Sequence, residues 1–362
     1  MKIEPRDITI IIGAGAGVPF GMPTGAELRD MMLKVKRPSA EMNSALNRCL
    51  NKRRRHYDES HYEEFLEMFK EANTISIDSF LSNQAEYINI VGKVSIANIL
   101  LDMEKKSYEN TKYSYCAVER GYYSPTGSHR ETRFYQDNWI QLLVNLLNPK
   151  DGDEYKFLER ISKINFVSFN YDRLLEQNLV EHFYHNYDNV RNGDWENKCK
   201  EFQEALSFTY VYGSLGKCIP KNIGSHSKRN NYLFNDKINT SDLVSSAEGI
   251  SLIRLNEEKE LDFSFINKSQ SIFTLGFSFD EDNLRLLKLL EGEEKPALYV
   301  TSLGLEEGII SKLDDRYNTY LEKREALTPS NRVINKKIII DCNVSYFSSN
   351  NPSTDALRYL KL

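Results

Sequence analysis

The chain has 362 residues, with 47 basic and 52 acidic side chains and a formal net charge of −5. This length predicts one elaborated domain or a core with an inserted subdomain, and the near-balance of charge gives no overall signal for nucleic acid or for a membrane surface. Five scattered cysteines without a C-x-x-C pair favour reduced thiols, and no apolar run is long enough for a signal peptide or a membrane span, so we expect a cytoplasmic protein.

The first predicted element is a buried parallel strand at residues 8–12, a β-branched run closed by Gly13. A helix is predicted at residues 26–33, with Thr24 as a candidate N-cap. An ordinary dinucleotide-binding unit would then supply a second strand, but the following pattern is helical or irregular. We therefore predict an inserted helical subdomain at residues 37–149, within a domain formed by residues 1–36 and 150–362.

Strand-like runs return after this segment. Strands are predicted at residues 164–169, 208–212, 250–255, 272–275, 298–301 and 337–344, separated by helix-length stretches such as 171–183 and 283–290. The alternation predicts an α/β fold with a Rossmann-like parallel sheet and helices on both faces. Polar, aperiodic residues at 109–133 and 217–240 are expected to form long surface loops, and residues 354–360 a short amphipathic helix.

A glycine-rich turn follows the first strand. Small residues at Gly13, Ala14 and Gly15 would let backbone N–H groups approach a pyrophosphate, and Pro23 and Thr24 lie just before the next helix. Taken alone, the turn is explained equally well by a tight connection between strand and helix. A dehydrogenase is disfavoured, because the second strand and its ribose-binding acid are missing.

The strand predicted at residues 164–169 is followed by a polar tip. Asn170 lies at its carboxyl end and Asp172 at the start of the next helix. Ligands bind at that edge of a doubly wound sheet, and an amide there suits a ribose hydroxyl or a water. An Asx turn at Asn170 and a helix cap at Asp172 would explain the same residues without a ligand.

Two further strand ends repeat this arrangement. Tyr212 precedes a glycine turn in VYGSLG, and Gly276, Phe277 and Ser278 form a third tip in LGFSFDEDN. The backbone of Gly276 and the Ser278 hydroxyl are placed to contact phosphate or ribose. Each turn is ambiguous alone, whereas the three together favour a nucleotide site.

As an ordered set, GAGAGVPFGMPTG, FVSFNYDRLLE, VYGSLG and LGFSFDEDN resemble the sirtuin-like NAD hydrolase family of bacterial antiphage defence, over residues 8–25 and 164–283. The resemblance implies that NAD+ is the substrate and that its nicotinamide–ribose bond is cleaved, giving ADP-ribose or a cyclised form and depleting NAD+ in abortive infection. The implied catalytic residues are Asn170, which would orient the ribose or the attacking water, Asp172 near the nicotinamide, and Tyr212. The implied NAD-binding residues are Gly13, Ala14, Gly15, Pro23, Thr24, Gly276, Phe277 and Ser278.

Two of the departures from the family pattern limit what carries over. Tyr212 stands where sirtuins have His, and an unperturbed phenol with a pKa of about 10 is rarely ionised, so Tyr212 is expected to position groups rather than abstract a proton. The protein deacylases of the resembled family carry a four-cysteine zinc module after this tip, but this sequence has only Cys218 nearby. Deacylation is therefore disfavoured. His182 and His185 lack a third ligand, so no metal site is expected.

The alternative function is a non-catalytic module that binds NAD or ADP-ribose in regulation or scaffolding, and Tyr212 is its main support. A hydrolase left active would deplete its host, so gating by oligomerisation or by a partner protein is expected. We expect a homo-oligomer, and the resemblance implies a HerA-type hexameric ATPase as a partner. The basic run at residues 52–55 is interpreted as a solvated face, so neither direct nucleic-acid binding nor membrane binding is expected.

Overall fold

The structure is a computed structural model that describes residues 4–72, 76–119, 138–193, 195–216, 218, 238–252, 262–289, 296–301, 344–347 and 352–362. Its strands are β1 Ile8–Ile12, β2 Ile164–Ser168, β3 Ser207–Tyr210, β4 Ser271–Leu275, β5 Ala297–Thr301 and β6 Val344–Phe347. They form one parallel sheet in the order β3-β2-β1-β4-β5-β6. The predicted α/β, Rossmann-like fold is confirmed.

The strand order reverses beside β1. The chain runs outward from β1 through β2 to β3, then returns to the other side of β1 with β4. Ile12 is level with Ser168 of β2 and with Leu275 of β4, so the three strands end together. A crevice at such a reversal, outside the carboxyl ends of the strands, is where open α/β sheets bind ligands.

Alternating side chains place β1 in two hydrophobic layers. Ile10 and Ile12 pack with the larger cluster on one face of the sheet, whereas Ile11 packs with a smaller cluster on the other face. All five residues of β1 are buried, as expected for a central parallel strand covered on both sides.

Helices fill both the connection from β1 to β2 and the later connections. The first group is a 3₁₀ helix at Ala14–Phe20, then α1 Gly25–Lys34, α2 Ala40–Asn51, α3 Glu59–Glu71, α4 Ile77–Ser82, α5 Glu86–Glu119, α6 Trp139–Leu147 and α7 Glu154–Ile161. The later group is α8 Leu174–Asn186, α9 Asp188–Asn192, α10 Trp195–Ala205, α11 Thr240–Gly249, a 3₁₀ helix at Ile266–Lys268, α12 Glu281–Leu287 and α13 Pro352–Leu357. Within these described ranges, none of the helices combines the length and the apolar character needed to cross a membrane.

The helical connection between β1 and β2 shares its core with the sheet. Buried residues of α2 to α6 and of one sheet face belong to one continuous hydrophobic cluster. No break in this core marks the predicted boundaries at residues 36 and 150, so the division into a domain and an inserted subdomain stays a prediction.

Several sequence-based boundaries differ from the structure. The loop predicted at 109–133 is wrong for residues 109–119, which continue α5 because no Gly or Pro interrupts them. The strand predicted at 250–255 is reduced at Ile250 to a single antiparallel bridge with Gly213, and residues 253–255 lie outside the described part.

The last predicted strand can be compared with the structure only from residue 344 onward. The structure has β6 at Val344–Phe347, whereas the prediction covered residues 337–344, of which 337–343 lie outside the described ranges. The loop predicted at 217–240 also falls largely outside them, and Thr240 already belongs to α11.

Candidate functional site

The turn after β1 is closed against the end of β4. The N–H of Gly13 donates to the Leu275 carbonyl and the N–H of Gly15 to the Gly276 carbonyl, both at 2.9 Å. Gly276 has φ +56°, and a Cβ there would lie 1.9 Å from the Ala16 nitrogen. Only glycine permits this approach of two backbones.

This packing accounts for the glycines of the turn without a ligand. The amides of Gly13 and Gly15 donate within the protein, so they are not directed toward a phosphate. The N–H of Ala14, first in its 3₁₀ helix, has no acceptor among the hydrogen bonds of the described residues. The phosphate-binding roles of these three residues stay predictions, and Ala14 is the best placed of them.

Thr24 caps α1 in a reciprocal arrangement. Its hydroxyl oxygen accepts from the Glu27 N–H at 3.3 Å, while the Glu27 carboxylate accepts from the Thr24 N–H at 2.8 Å. Pro23, just before the cap, is half-buried. The capping box gives Thr24 a local role in starting the helix, and the NAD contacts predicted for Pro23 and Thr24 stay predictions.

Asn170 links the ends of β1 and β2. Its side-chain Nδ2 donates to the Gly13 carbonyl at 3.1 Å, and its backbone N–H donates to the Ser168 hydroxyl at 3.1 Å. The Oδ1 atom is buried and has no hydrogen-bond partner among the described residues. An orphaned buried acceptor is costly, so Asn170 presents an oxygen that a bound hydroxyl or water would satisfy.

Asp172 lies two residues further along the same tip. Its Oδ1 accepts from the Leu174 N–H at 3.2 Å, at the start of α8. Burial, followed by the nearby Glu104 charge, raises the pKa of its carboxyl to about 7. A carboxyl that exchanges its proton near neutral pH in a pocket is typical of functional sites.

A pocket brings Asn170 and Asp172 together. Its cavity volume is about 20 Å³, room for about one water molecule, and its walls carry the rings of Phe20, Trp139 and Phe208. The two polar side chains and the aromatic walls match a planar amide in polarity, and the walls must move apart to admit one.

Sequence reasoning missed the aromatic walls of this pocket. Trp139 begins α6, and its indole Nε1 donates to the Ala16 carbonyl at 2.9 Å, which fixes the ring against the glycine-rich turn. Phe20 packs on it with ring centroids 6.1 Å apart. The only local signal was the apolar pattern of a helix, which does not say which side faces a ligand.

Tyr212 lies two residues after the end of β3 and beside Phe169, with ring centroids 5.8 Å apart. Its hydroxyl donates to Asn283 Oδ1 at 2.7 Å. Burial, followed by the charges of Asp78, Asp280 and other acidic side chains, raises the pKa of the phenol well above its usual range. Tyr212 is not among the described residues that line the pocket, and its hydroxyl stays protonated at neutral pH.

The tip of β4 is built mainly from packing. Phe277 is buried against Phe169, with ring centroids 4.8 Å apart. Ser278 is exposed, and its hydroxyl donates to Asp280 Oδ2 at 2.9 Å. Phe277 therefore packs against the residue that follows β2. The ligand contacts of Gly276, Phe277 and Ser278 stay predictions.

The histidines considered as ligands do not gather at this site. His182 packs on Phe157, and burial lowers the pKa of its ring to about 4. No group of three or more His, Cys, Asp or Glu side chains is arranged to hold a metal ion in the part of the chain that the structure describes. His182 is thus a half-buried residue packed on an aromatic ring, and the absence of a metal stays an expectation.

Comparison with known proteins does not assign the chain to a family. A scan against protein-family models finds no match, and no curated protein is significantly similar in sequence. The family resemblance therefore depends on the motifs and on their positions at the strand ends.

Proposed function

We propose that the protein is an NAD+ glycohydrolase that cleaves the bond between nicotinamide and ribose. The observation that carries this proposal is the Asn170 amide, which is held by the Gly13 carbonyl and has a buried Oδ1 without a partner. It lies beside the point where the strand order reverses, the usual nucleotide crevice of this fold.

The pocket supports a specific orientation of the substrate. The nicotinamide ring would lie against Phe20 and Trp139, with Asp172 beside its carboxamide and Asn170 beside the ribose. A water oxygen forms the new bond to the anomeric carbon, and the electron pair of the broken C–N bond leaves with nicotinamide, which departs neutral. The proton of the water passes to solvent. The leaving group needs no acid, so orientation and electrostatic stabilisation by Asn170 are the main requirements.

A second candidate function is binding of NAD+ or ADP-ribose without turnover. It is favoured by Tyr212, whose protonated hydroxyl is already engaged by Asn283 and cannot replace the histidine base of the resembled family. The two functions differ in one measurement: calorimetry with NAD+ shows binding in both cases, whereas free nicotinamide appears only with turnover.

Gating belongs to the same proposal. Depletion of NAD+ in abortive infection requires that the enzyme stay silent until it is needed, through a homo-oligomer or through a HerA-type hexameric ATPase as a partner. Light scattering across a concentration series, with and without a co-expressed ATPase of this type, tests both forms. A monomer with full activity at every concentration would contradict the gating proposal.

The direct test is product analysis. The purified protein is incubated with NAD+, and nicotinamide, ADP-ribose and cyclic products are separated chromatographically for wild type, Asn170→Ala and Asp172→Asn. We expect nicotinamide release by the wild type and its loss in Asn170→Ala. Failure of the wild type to release nicotinamide in every assembly state, while it still binds NAD+, would favour the binding module.

A further inference from the structure

The tip that carries Asn170 and Asp172 alternates between residues that line the pocket and residues that do not. Asn170 and Asp172 line it, whereas Tyr171 and Arg173 are not among its described lining residues and are buried, with 7% and 6% of their surface exposed. Each buried member of this alternation meets a carboxylate from the helical connection between β1 and β2. The position of the pocket residues therefore depends on contacts made by their immediate neighbours.

Glu104, in the middle of α5, holds Arg173 through three hydrogen bonds. Its Oε1 accepts from the Arg173 backbone N–H at 2.6 Å and from Nε at 3.1 Å, and its Oε2 accepts from a terminal guanidinium nitrogen at 2.6 Å. Glu104 is fully buried. A bidentate guanidinium–carboxylate pair fixes the orientation of the two side chains as well as their distance. Here the same carboxylate also holds the backbone directly after Asp172.

Asp78, in α4, holds the other buried side chain. The Tyr171 hydroxyl donates to Asp78 Oδ1. The Tyr171 carbonyl also accepts from the Leu215 N–H at 2.9 Å, which ties the tip to the turn after β3. Tyr171 is thus fixed at both its ring end and its backbone.

We infer that Asp78 and Glu104 are positioning residues of the candidate site, which act through Tyr171 and Arg173 to set the orientation of Asn170 and Asp172. The inference rests on the proposed function, because it assigns these residues to the same pocket. It extends that function by making the helices between β1 and β2 part of the catalytic arrangement.

The cost of burying these groups supports a role in geometry. A buried ion pair contributes little net stability compared with apolar residues of similar volume. Displacing a reacting group by about 1 Å, in contrast, can lower a rate about 100-fold. Loss of either anchor should therefore reduce kcat, while KM for NAD+ changes less because the aromatic walls at Phe20 and Trp139 are untouched.

The test uses the full chain and NAD+ as the probe. The variants are Tyr171→Phe, Glu104→Gln and the double variant Glu104→Met with Arg173→Met, which replaces the ion pair by apolar side chains. Two matched controls lie in the same helical segment. Asp102→Asn removes an exposed carboxylate of α5 that pairs with Lys106 at 2.5 Å, and Tyr87→Phe removes a hydroxyl that donates to the Glu64 carboxylate at 2.8 Å.

The readouts are kcat, KM, the melting temperature and hydrogen exchange of the peptide that covers residues 168–176. We expect kcat to fall about 10-fold to 100-fold in each test variant and to stay within about twofold of wild type in both controls. Hydrogen exchange of this peptide should be faster in the Glu104→Gln variant than in wild type. The double variant should keep a melting temperature near that of the wild type and still show this fall in kcat.

The outcomes separate the inference from the proposed function. An active wild type together with a folded double variant of unchanged kcat would overturn the positioning role and leave the hydrolase proposal intact. An inactive wild type would overturn the hydrolase proposal, and the exchange data would then decide alone whether the two carboxylates order the tip. Unchanged exchange in Tyr171→Phe and Glu104→Gln would overturn the inference in either case.

Discussion

The side-chain amide of Asn170 donates a hydrogen bond of 3.1 Å to the backbone carbonyl of Gly13, across the boundary between β2 and β1. The bond fixes which way the amide faces, and it leaves Oδ1 buried without a partner in the described part of the chain. An unsatisfied buried acceptor costs about 1–3 kcal/mol. A ribose hydroxyl or a water that donates to Oδ1 recovers that cost, so the site favours a ligand with a hydroxyl group at this point.

Replacement of Asn170 by Ala should abolish most of the activity with little loss of stability. We expect kcat for nicotinamide release to fall about 10²-fold to 10³-fold, as for removal of one preorganised polar group. The free energy of unfolding should fall by about 1 kcal/mol or less, because the substitution removes one hydrogen bond and one orphaned acceptor together. Nicotinamide chromatography and urea denaturation measure the two quantities.

The control for this change lies on the same strand. Asn165, toward the amino end of β2, also has a buried Oδ1 without a partner in the described structure, and its Nδ2 donates to the Glu4 carbonyl at 3.3 Å. Asn165→Ala should cost a similarly small free energy of unfolding, about 1 kcal/mol or less, and leave kcat unchanged. Equal losses of kcat in the two variants would show that Asn170 acts through folding alone.

Gly276→Ala should destabilise the protein more than a positive φ alone explains. The added Cβ would lie 1.9 Å from the Ala16 nitrogen, and Gly276 has φ +56°. Gly152 has φ +70° with nothing within 4 Å of an added Cβ, so Gly152→Ala measures the backbone cost alone, about 1–2 kcal/mol. Urea denaturation should give a clearly larger loss for Gly276→Ala, and equal losses would contradict the close approach of β1 and β4.

Much of the sheet could be predicted from local pattern. The continuous apolar runs at β1, β2 and β4 each end in a polar or glycine-rich turn, and parallel strands bring such turns to one edge. The grouping of Asn170 with the glycine-rich turn follows from this rule. The hydrogen bonds of the turn could not be predicted in this way. Only the structure shows that the N–H groups of Gly13 and Gly15 donate to carbonyls at the end of β4.

The parts that could not be predicted depend on contacts between distant segments. In the sequence, Asp78 and Glu104 are ordinary polar residues of predicted helices. No local pattern indicates that they contact Tyr171 and Arg173. Trp139 likewise reads as the start of an apolar helix. Helical periodicity indicates which residues are buried, but it does not identify the partner against which they are buried.

Asp172→Asn should stabilise the protein at neutral and alkaline pH while it lowers activity. The folded-state pKa of Asp172 is raised to about 7 from an ordinary 3.8, chiefly by burial. The folded protein therefore holds this proton more tightly than the unfolded chain does, so stability is lost as pH rises from about 4 to about 7. Asn stays neutral throughout. The free energy of unfolding of the variant, minus that of the wild type, should therefore be larger at pH 8 than at about pH 4 by at least about 1 kcal/mol.

Urea denaturation of both proteins across this pH range provides the measurement. The gain should grow between about pH 4 and about pH 7 and then level off, which follows from the two pKa values. Nicotinamide release by the same samples should be reduced, as expected where a group of the site lowers stability and serves activity. A stability difference that does not change with pH would contradict the raised pKa.

Tyr212→Phe should show that this residue does not act as a base. Its hydroxyl donates to Asn283 Oδ1 at 2.7 Å, and burial raises the pKa of the phenol further from neutrality. We expect a loss of about 0.5–1.5 kcal/mol in the free energy of unfolding. We expect kcat to stay within about tenfold of wild type, whereas loss of a general base would cost about 10²-fold to 10⁴-fold. Tyr187→Phe is the matched control, because that hydroxyl donates at 2.8 Å to the equivalent atom of Asn148, Oδ1. A 10³-fold loss of kcat in Tyr212→Phe alone, with the ascending limb removed from the pH–rate profile, would assign the role of general base to Tyr212 instead.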